Sequence, residues 1–317
     1  MSRPVIALFT GDPAGIGPEL VERVLAAPET QALADIILIG QQGALEVPSW
    51  VRWHDWAGAG HPPFPRSAAS ADNGAFMLRG LEEGVRLVTS GQADALCFAP
   101  LNKGALRLGG MHQEDELRWF AELMAYRGIC GELNVLENLW TARVTSHIAL
   151  RDVSGLLSAE GVADAIGMIH RSLQATGVAQ PRIAVCGLNP HNGDNGNYGD
   201  EEARIIEPGI RLAAQHGHAA EGPFPADTAF VRAIRKDGGY DGVVTMYHDQ
   251  GQIAMKLMGF ERGVTVHGGL PIPISTPAHG TAYDIAGRGI AHTGAMTNAL
   301  RVACRMGLHH REQRQAA

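Results

Sequence analysis

Short apolar runs alternate with longer amphipathic segments along most of the chain. Apolar runs of this length, separated by segments with helical periodicity, are typical of buried parallel strands. The pattern therefore predicts an α/β protein in which helices connect the strands of a mostly parallel sheet. The predicted strands are residues 5–9, 36–39, 95–98, 143–145, 182–185 and 242–245.

Helical periodicity and capping residues place the connecting helices. Ser158 and Asp200 are predicted N-caps, and the acidic residues 200–202 are explained by a favourable interaction with the helix dipole. Residues 47–70, rich in proline and tryptophan, are expected to form an irregular loop or hairpin, and the polar tail after Gly307 is expected to fray. The predicted helices are residues 18–26, 73–90, 159–176, 200–215 and 294–306.

Length, composition and net charge limit the number of domains and the classes of binding partner that we expect. The 317 residues, 45% of them hydrophobic, are enough for about two domains with cores of their own. With 26 basic and 33 acidic residues the net charge is −7, so we expect no nucleic-acid partner and no membrane partner. No apolar run reaches the ~18 residues of a membrane span, and the first strand does not resemble a signal peptide. We expect a cytoplasmic protein.

Glycine is the compositional anomaly, with 40 residues in the chain. Residues 11–19 form a glycine-rich turn between the first strand and a helix that begins near Pro18. Such a turn lets the backbone approach a ligand and points helix N–H groups at negative charge. A tight strand-to-helix connection without a ligand would need the same residues.

Three histidines, His147, His191 and His248, each follow a predicted strand. Ligands of open α/β sheets gather beyond the carboxyl ends of the strands, so these imidazoles are candidates for one cation. Each taken alone is more often a structural residue. Imidazole ligands favour zinc, while substrate oxygens at open coordination positions would also suit magnesium, manganese or cobalt.

Together the motifs resemble the PdxA family, NAD-dependent 4-hydroxythreonine-4-phosphate dehydrogenases and their relatives. Two of the segments are also similar to motifs of isopropylmalate and isocitrate dehydrogenases. The resemblance implies an isopropylmalate dehydrogenase-like fold with two α/β/α domains and a cleft between them. It implies a first domain of residues 1–125 and 270–317 and a second of residues 126–269. The matching segments are residues 11–19, 145–152, 188–202, 222–230, 247–256 and 279–291.

The resemblance also implies roles for single residues in a homodimer with active sites at the subunit interface. His147, His191 and His248 would be the metal ligands, with His248 supplied by the other subunit. Lys256 would contact substrate and take part in proton transfer, and Asp227 and Asp249 would orient a histidine or accept a proton; Asp227 would otherwise cap its helix. The residues implied for NAD binding are Gly280, Thr281, Asp284 and Gly287.

The chain departs from the family at the substrate positions. Glu116 and Leu117 stand where the family has a His-Thr pair, Thr265 replaces an asparagine and Ile274 replaces an arginine. Losing an arginine and gaining a carboxylate disfavours a phosphate dianion. We therefore expect a substrate without phosphate, such as a hydroxy acid or a cis-dihydrodiol carboxylate.

The sequence thus predicts a dehydrogenase that oxidises a secondary alcohol with NAD and a divalent metal ion, with decarboxylation as a further step. Three alternatives stay open. In the first, the chain is an authentic 4-hydroxythreonine-4-phosphate dehydrogenase that binds phosphate with other residues. In the second, it is an inactive metabolite-binding protein. In the third, it is a metal-dependent hydrolase or lyase that does not use NAD.

Overall fold

The computed structural model describes residues 3–56 and 66–316, which divide between two compact units. The first comprises Met1–Arg127 and Glu261–Ala317, and the second is Gly128–Phe260. Residues 261–269, which we assigned to the second domain, thus belong to the first unit, because the strand at 264–268 pairs with the strand at 274–277. In the described ranges no helix is long and apolar enough to cross a bilayer.

The strands and helices alternate over most of the chain. In chain order the strands of the described residues are β1 Val5–Phe9, β2 Asp35–Ile39, β3 Arg52–His54, β4 Ala95–Phe98, β5 Gly131–Leu136, β6 Leu139–Arg143, β7 Ile183–Cys186, β8 Glu221–Phe224, β9 Gly242–Thr245, β10 Val264–Gly268 and β11 Ile274–Pro277. The α-helices are α1 Gly17–Ala26, α2 Pro28–Leu33, α3 Ala71–Thr89, α4 Lys103–Leu108, α5 Glu116–Leu123, α6 Val153–Leu156, α7 Ala159–Gln174, α8 Glu207–Gln215, α9 Ala226–Ala233, α10 His248–Gly259 and α11 Gly294–Ala316.

In the first unit the strand order is β3-β2-β1-β4-β11-β10. All neighbouring strands are parallel except β10, which is antiparallel to β11. Helix α3 packs its apolar face on this sheet, and the core between them includes Phe9, Met77 and Leu96. The order reverses between β1 and β4, which is where ligands of open α/β sheets bind.

In the second unit the strand order is β5-β6-β9-β7-β8. Strands β5 and β6 form an antiparallel hairpin, whereas β6, β9, β7 and β8 run parallel to one another. Trp140 is fully buried in β6. A separate core lies against β7 and β9 and includes Phe230, Val243 and Met255. The predicted α/β class with mostly parallel sheets is confirmed in each unit.

Three local expectations were wrong. Strand β6 ends at Arg143 rather than continuing to residue 145. Inside the expected irregular segment 47–70, β3 pairs in parallel with β2, while residues 57–65 lie outside the described part of the chain. The tail does not fray, since α11 continues to Ala316. Its Arg314 pairs with the buried Asp94 carboxylate at 2.7 Å, which holds the last turns against the sheet.

Candidate functional site

The three candidate histidines follow three adjacent parallel strands of the second unit. His147 lies four residues after β6, His248 begins α10 three residues after β9, and His191 lies five residues after β7. Since β9 lies between β6 and β7 and all three run in one direction, their carboxyl ends meet at one edge of the sheet. The segments that carry the three histidines therefore leave the sheet at the same edge.

Two of the imidazoles are close together. The ring centroids of His147 and His248 are 5.5 Å apart, with an interplanar angle of 43°. His248 Nδ1 lies 2.7 Å from Asp249 Oδ1, a contact that orients the ring and leaves Nε2 for another partner. His147 is exposed and His248 half-buried, so both rings are accessible.

The third imidazole does not join them within one chain. Among the described residues, no group of three His, Cys, Asp or Glu side chains is arranged to hold a metal ion. His191 instead opens a run with positive φ, from 54° at His191 to 56° at Asn195. Asn and Asp tolerate this left-handed region better than most residues, and such runs concentrate at functional sites.

A buried carboxylate supports the His191 loop. Glu202 Oε1 accepts hydrogen bonds from the backbone N–H groups of Leu188 and Asn189, at 2.8 and 2.7 Å. Glu202 is therefore bound to the loop. The expectation that residues 200–202 interact only with the helix dipole is wrong for Glu202. The position of Glu202 in an acidic helix start does not indicate this role in the sequence. Its bonding partners are 14 and 13 residues away in the chain, beyond any local pattern.

Side chains also join the three strand ends to one another. Thr145 Oγ1 donates to the Met246 carbonyl at 2.7 Å, which links the end of β6 to the end of β9. Gln250 accepts from Met246 N and donates to the Gly187 carbonyl, which links β9 to β7. The segments that carry the three histidines are thus held together by hydrogen bonds that sequence reasoning did not identify.

The other candidate groups of this unit are exposed. Lys256 and Asp249 lie on α10 with His248, and Asp227 lies in the first turn of α9. The N-cap of α9 is Pro225 and makes no side-chain cap bond, so Asp227 does not cap that helix as the alternative proposed. His248 and Lys256 are eight residues apart, which places them near one face of α10 two turns apart.

In the first unit the glycine-rich turn is packed against other backbone. Gly11 has φ +74°, and a Cβ there would lie 2.5 Å from the Ala99 carbonyl oxygen, beyond the end of β4. The Asp12 side chain is 0% exposed and accepts from Ala14 N at 2.9 Å and from Tyr283 Oη at 2.6 Å. Burial raises the pKa of Asp12, opposed by those two hydrogen bonds, and burial with the bond to Asp12 raises the pKa of Tyr283.

The segment predicted to bind NAD is tied to the same turn. Ile16 N donates to the Thr281 carbonyl at 3.0 Å, and Thr281 is buried against Gly15. The Glu19 carboxylate accepts from the backbone N–H groups of Gly287 and Gly289. The two motifs, more than 260 residues apart in sequence, therefore form one structure.

A cavity of about 450 Å³ opens at this structure. Of the four residues predicted to contact NAD, Gly287 lines the cavity, whereas Gly280, Thr281 and Asp284 do not. Thr281 is buried, and Gly280 and Asp284 are exposed. The lining residues are Thr10, Pro13, Gly15, Pro18, Glu19, Glu22, Gln41, Ala44, Leu45, Trp53, Arg66, Phe76 and Gly287.

The substrate candidates of the first unit do not support our argument against phosphate. Ile274 is 0% exposed within the core, and Leu117 is also buried. Glu116 is buried too, but its Oε2 lies 3.7 Å from Lys103 Nζ, so its charge is paired. Thr265 lies half-buried on β10. A core isoleucine contacts no substrate, and a paired carboxylate adds little repulsion, so these residues do not exclude a phosphate.

Two mostly parallel α/β units, one with a glycine turn at a reversal of strand order and one with histidines at adjoining strand ends, place the protein in the α/β class with an isocitrate dehydrogenase-like fold. The crystal structure of isocitrate dehydrogenase from Methylococcus capsulatus shares that fold at a TM-score of 0.51, 16% identity, and coverage of 99% of this chain and 87% of that one. This likeness is to the fold alone.

The chain belongs to the PdxA family. The family model described as "Pyridoxal phosphate biosynthetic protein PdxA" matches residues 41–303. A Pseudomonas aeruginosa protein named "Putative 4-hydroxythreonine-4-phosphate dehydrogenase 2" is 51% identical, covering 97% of this chain and 98% of that protein. The crystal structure of 4-hydroxythreonine-4-phosphate dehydrogenase from Klebsiella pneumoniae superimposes with a TM-score of 0.85 at 32% identity, covering 96% and 98%.

These relatives also correct our expectation about the substrate. A Cupriavidus necator protein named D-threonate 4-phosphate dehydrogenase is 38% identical, covering 94% of this chain and 96% of that protein. Similar proteins are thus named for phosphorylated substrates. The expectation of a substrate without phosphate is not supported, and the alternative within the same family is favoured. The predictions of the family and of an oxidoreductase are confirmed.

Proposed function

We propose that the chain is a 4-hydroxythreonine-4-phosphate dehydrogenase that depends on NAD and a divalent metal ion. The proposal rests on one observation. The accessible imidazoles of His147 and His248 lie at the ends of parallel strands with their ring centroids 5.5 Å apart. The 51% identity over almost the whole chain to a relative of that name supports the substrate.

The donor set fits a divalent metal ion. Two imidazoles, one of them oriented by a carboxylate, are typical of first-row metal sites. His147 and His248 of one chain would hold the ion, in place of the arrangement implied by the resemblance, in which His248 comes from the other subunit, and His191 would be the third ligand in the assembled protein. The bound ion and the nicotinamide would supply Lewis acidity at the substrate oxygen and hydride acceptance.

The chain's own residues have the remaining tasks. Asp249 orients the His248 ring through Nδ1, and Lys256 places an ammonium group near the same face of α10, where it can hold a proton or a negatively charged substrate group. In the first unit, Gly15 and Gly287 line the 450 Å³ cavity that would receive the cofactor, with Thr281 packed against Gly15 and Arg66 against Gly287. The alcohol loses a hydride and a proton, and the resulting β-keto acid can then lose carbon dioxide.

We also propose a homodimer. Helix α10 presents Ile253 and Leu257 at 60% and 84% exposure, beside Lys256. The segment after His147 exposes Ile148, Leu150 and Leu156 as well. Apolar side chains exposed in such number beside a candidate site indicate a protein interface. A second copy of the chain would cover them.

A substrate assay tests the function. NADH formation from 4-hydroxythreonine 4-phosphate is measured by absorbance with added Zn²⁺, Mg²⁺, Mn²⁺ or Co²⁺, beside D-threonate 4-phosphate and an unphosphorylated dihydrodiol carboxylate. We expect the highest kcat/KM with 4-hydroxythreonine 4-phosphate and release of carbon dioxide. Turnover restricted to the unphosphorylated compound would refute the proposed substrate, and absence of turnover in every metal would refute the dehydrogenase.

A further inference from the structure

A buried arginine lies four residues before His147 in the chain. The Arg143 side chain is only 7% exposed at the end of β6. Its guanidinium donates to Glu132 Oε2 at 2.6 Å, to Asn134 Oδ1 at 2.7 Å and to Ser146 Oγ at 2.9 Å. Ser146 precedes His147 directly, so one end of this network lies at the backbone that carries the first imidazole.

The other end lies on α10. Gln252 Nε2 donates to Asn134 Oδ1 at 2.6 Å, the same oxygen that accepts from Arg143. Gln252 is four residues after His248 and four before Lys256, so the three side chains lie along one face of the helix. Asn134 therefore accepts both from Arg143 and from the helix that carries His248.

The Arg143 guanidinium restricts where its bonding partners can lie. A guanidinium is planar and always charged, and its donors have fixed directions, so a buried arginine with three acceptors determines where those acceptors lie. Asn134 is buried in β5 on the opposite strand of the hairpin. A helix bonded to such an acceptor has little freedom to turn or slide over the sheet.

We propose that Arg143, Asn134 and Gln252 are positioning residues that set the separation of His147 and His248. This inference rests on the proposed metal site. Gln250, also on α10, holds the first turn of the helix to the ends of β9 and β7, whereas Gln252 holds the next turn to Asn134 and so to Arg143. Loss of the Gln252 bond leaves the bonds of Gln250 in place, and the helix can then pivot about that turn, which changes the separation of the imidazoles without removing either ligand.

The test measures Co²⁺ binding by the purified, metal-depleted full-length protein, by calorimetry and by visible absorption. The Gln252→Leu and Asn134→Leu variants are expected to raise the Kd for Co²⁺ about 10- to 100-fold, the range found when groups that orient metal ligands are lost, and to alter the cobalt absorption bands. Asn134→Asp keeps an acceptor for both donors and is expected to restore most of the affinity.

The matched control is Gln215→Leu at an exposed position of α8 in the same unit. Wild-type Co²⁺ affinity and absorption in the Gln252→Leu variant would overturn the inference, as would equal weakening in Gln215→Leu. If the Asn134→Leu variant does not fold, the Gln252→Leu variant tests the inference by itself, because Gln252 is only half-buried. Failure of the wild-type protein to bind Co²⁺ would remove the proposed metal site itself, which distinguishes that outcome from failure of the positioning network alone.

Discussion

The glycine-rich turn of the first unit and the strand ends of the second use their polar side chains in opposite ways. In the first unit Asp12 and Glu19 accept hydrogen bonds from the chain itself, and Asp12 is fully buried. In the second unit His147 and His191 are exposed, and buried residues such as Glu202 and Arg143 support the segments that carry them.

The difference separates two kinds of sequence motif. The segment 11–19 passes the ends of β1 and β4 and receives the loop at 279–291, so its requirement is one of backbone shape. The segment 247–256 instead holds side chains that we propose to bind the metal ion and the substrate. A change in the first should act through stability and cofactor affinity, whereas a change in the second should act on metal binding with little effect on folding.

The largest effect is expected from His248→Ala. Removing a proposed ligand should lower both Co²⁺ affinity and kcat/KM by about 100-fold or more, beyond the loss typical of groups that only orient ligands. Calorimetry and the NADH assay measure the two quantities, with His216→Ala, an exposed histidine of the same unit, as the control. Unchanged Co²⁺ binding in His248→Ala would show that His248 is not a metal ligand.

The next effect is expected on self-association. Leu257→Asp replaces an 84% exposed leucine of α10 with a charge and should weaken the dimer about 10- to 100-fold, the equivalent of burying one leucine side chain. Sedimentation velocity over a concentration series measures this. Leu108→Asp, at a 62% exposed leucine of the first unit, is the matched variant. Equal sensitivity of both variants would contradict the assignment of the interface to the second unit.

Tyr283→Phe tests the internal bonding of the first unit. It leaves the buried Asp12 carboxylate without the hydroxyl donor at 2.6 Å, which should cost about 1–2 kcal/mol of unfolding free energy. We expect a higher KM for NAD with little change in Co²⁺ affinity. Urea unfolding and steady-state kinetics measure both, and Tyr198→Phe at an exposed tyrosine of the second unit is the control. A loss of Co²⁺ affinity without a loss of stability would contradict the conclusion that the bonds of Asp12 act on stability and cofactor affinity rather than on metal binding.

The smallest effect concerns pH. His170 and His218 of the second unit lie with Nδ1 atoms 3.3 Å apart. Burial lowers the pKa of both, and the charge of Arg171 lowers the pKa of His170 further. The unfolded chain therefore takes up these protons first, at its ordinary value of about 6.5, so the stability they contribute is present above that pH and declines as the pH falls below it.

His218→Gln should flatten this decline when unfolding is compared at about pH 7.5 and pH 5.5. His112→Gln, at an exposed histidine of the first unit, serves as control. An identical pH dependence in His218→Gln and the wild-type protein would mean that the histidine pair does not titrate with folding.

Prediction from sequence succeeded where strands are continuous apolar runs and failed where polar residues interrupt them. Val5–Phe9 and Gly242–Thr245 were predicted at their observed bounds. Strand β5 was missed because Glu132 and Asn134 break its apolar run, although both are bonded to Arg143. The final turns of α11 were missed because their polar residues bond to Asp94, whose location near them no local pattern encodes.

The candidate site shows the same division. The position of each histidine after a strand could be inferred locally, because hydrophobic periodicity locates the strands. The supporting groups Glu202, Gln250 and Gln252 could not, since their partners are distant in sequence or belong to another element. Ile274 shows the reverse error, because its alignment with a binding residue suggested a contact that its burial excludes.

The order of amino acids by itself determined the α/β class, the family and the strand ends at which the imidazoles lie. Each of these depends on local periodicity and on short motifs, which remain visible in an extended chain. Only the tertiary structure decided that Asp12 meets Tyr283, that Gln252 shares an acceptor with Arg143 and that Ile274 lies in the core. Those facts depend on which distant segments pack together, and packing is settled by the burial of the whole chain rather than by any segment alone.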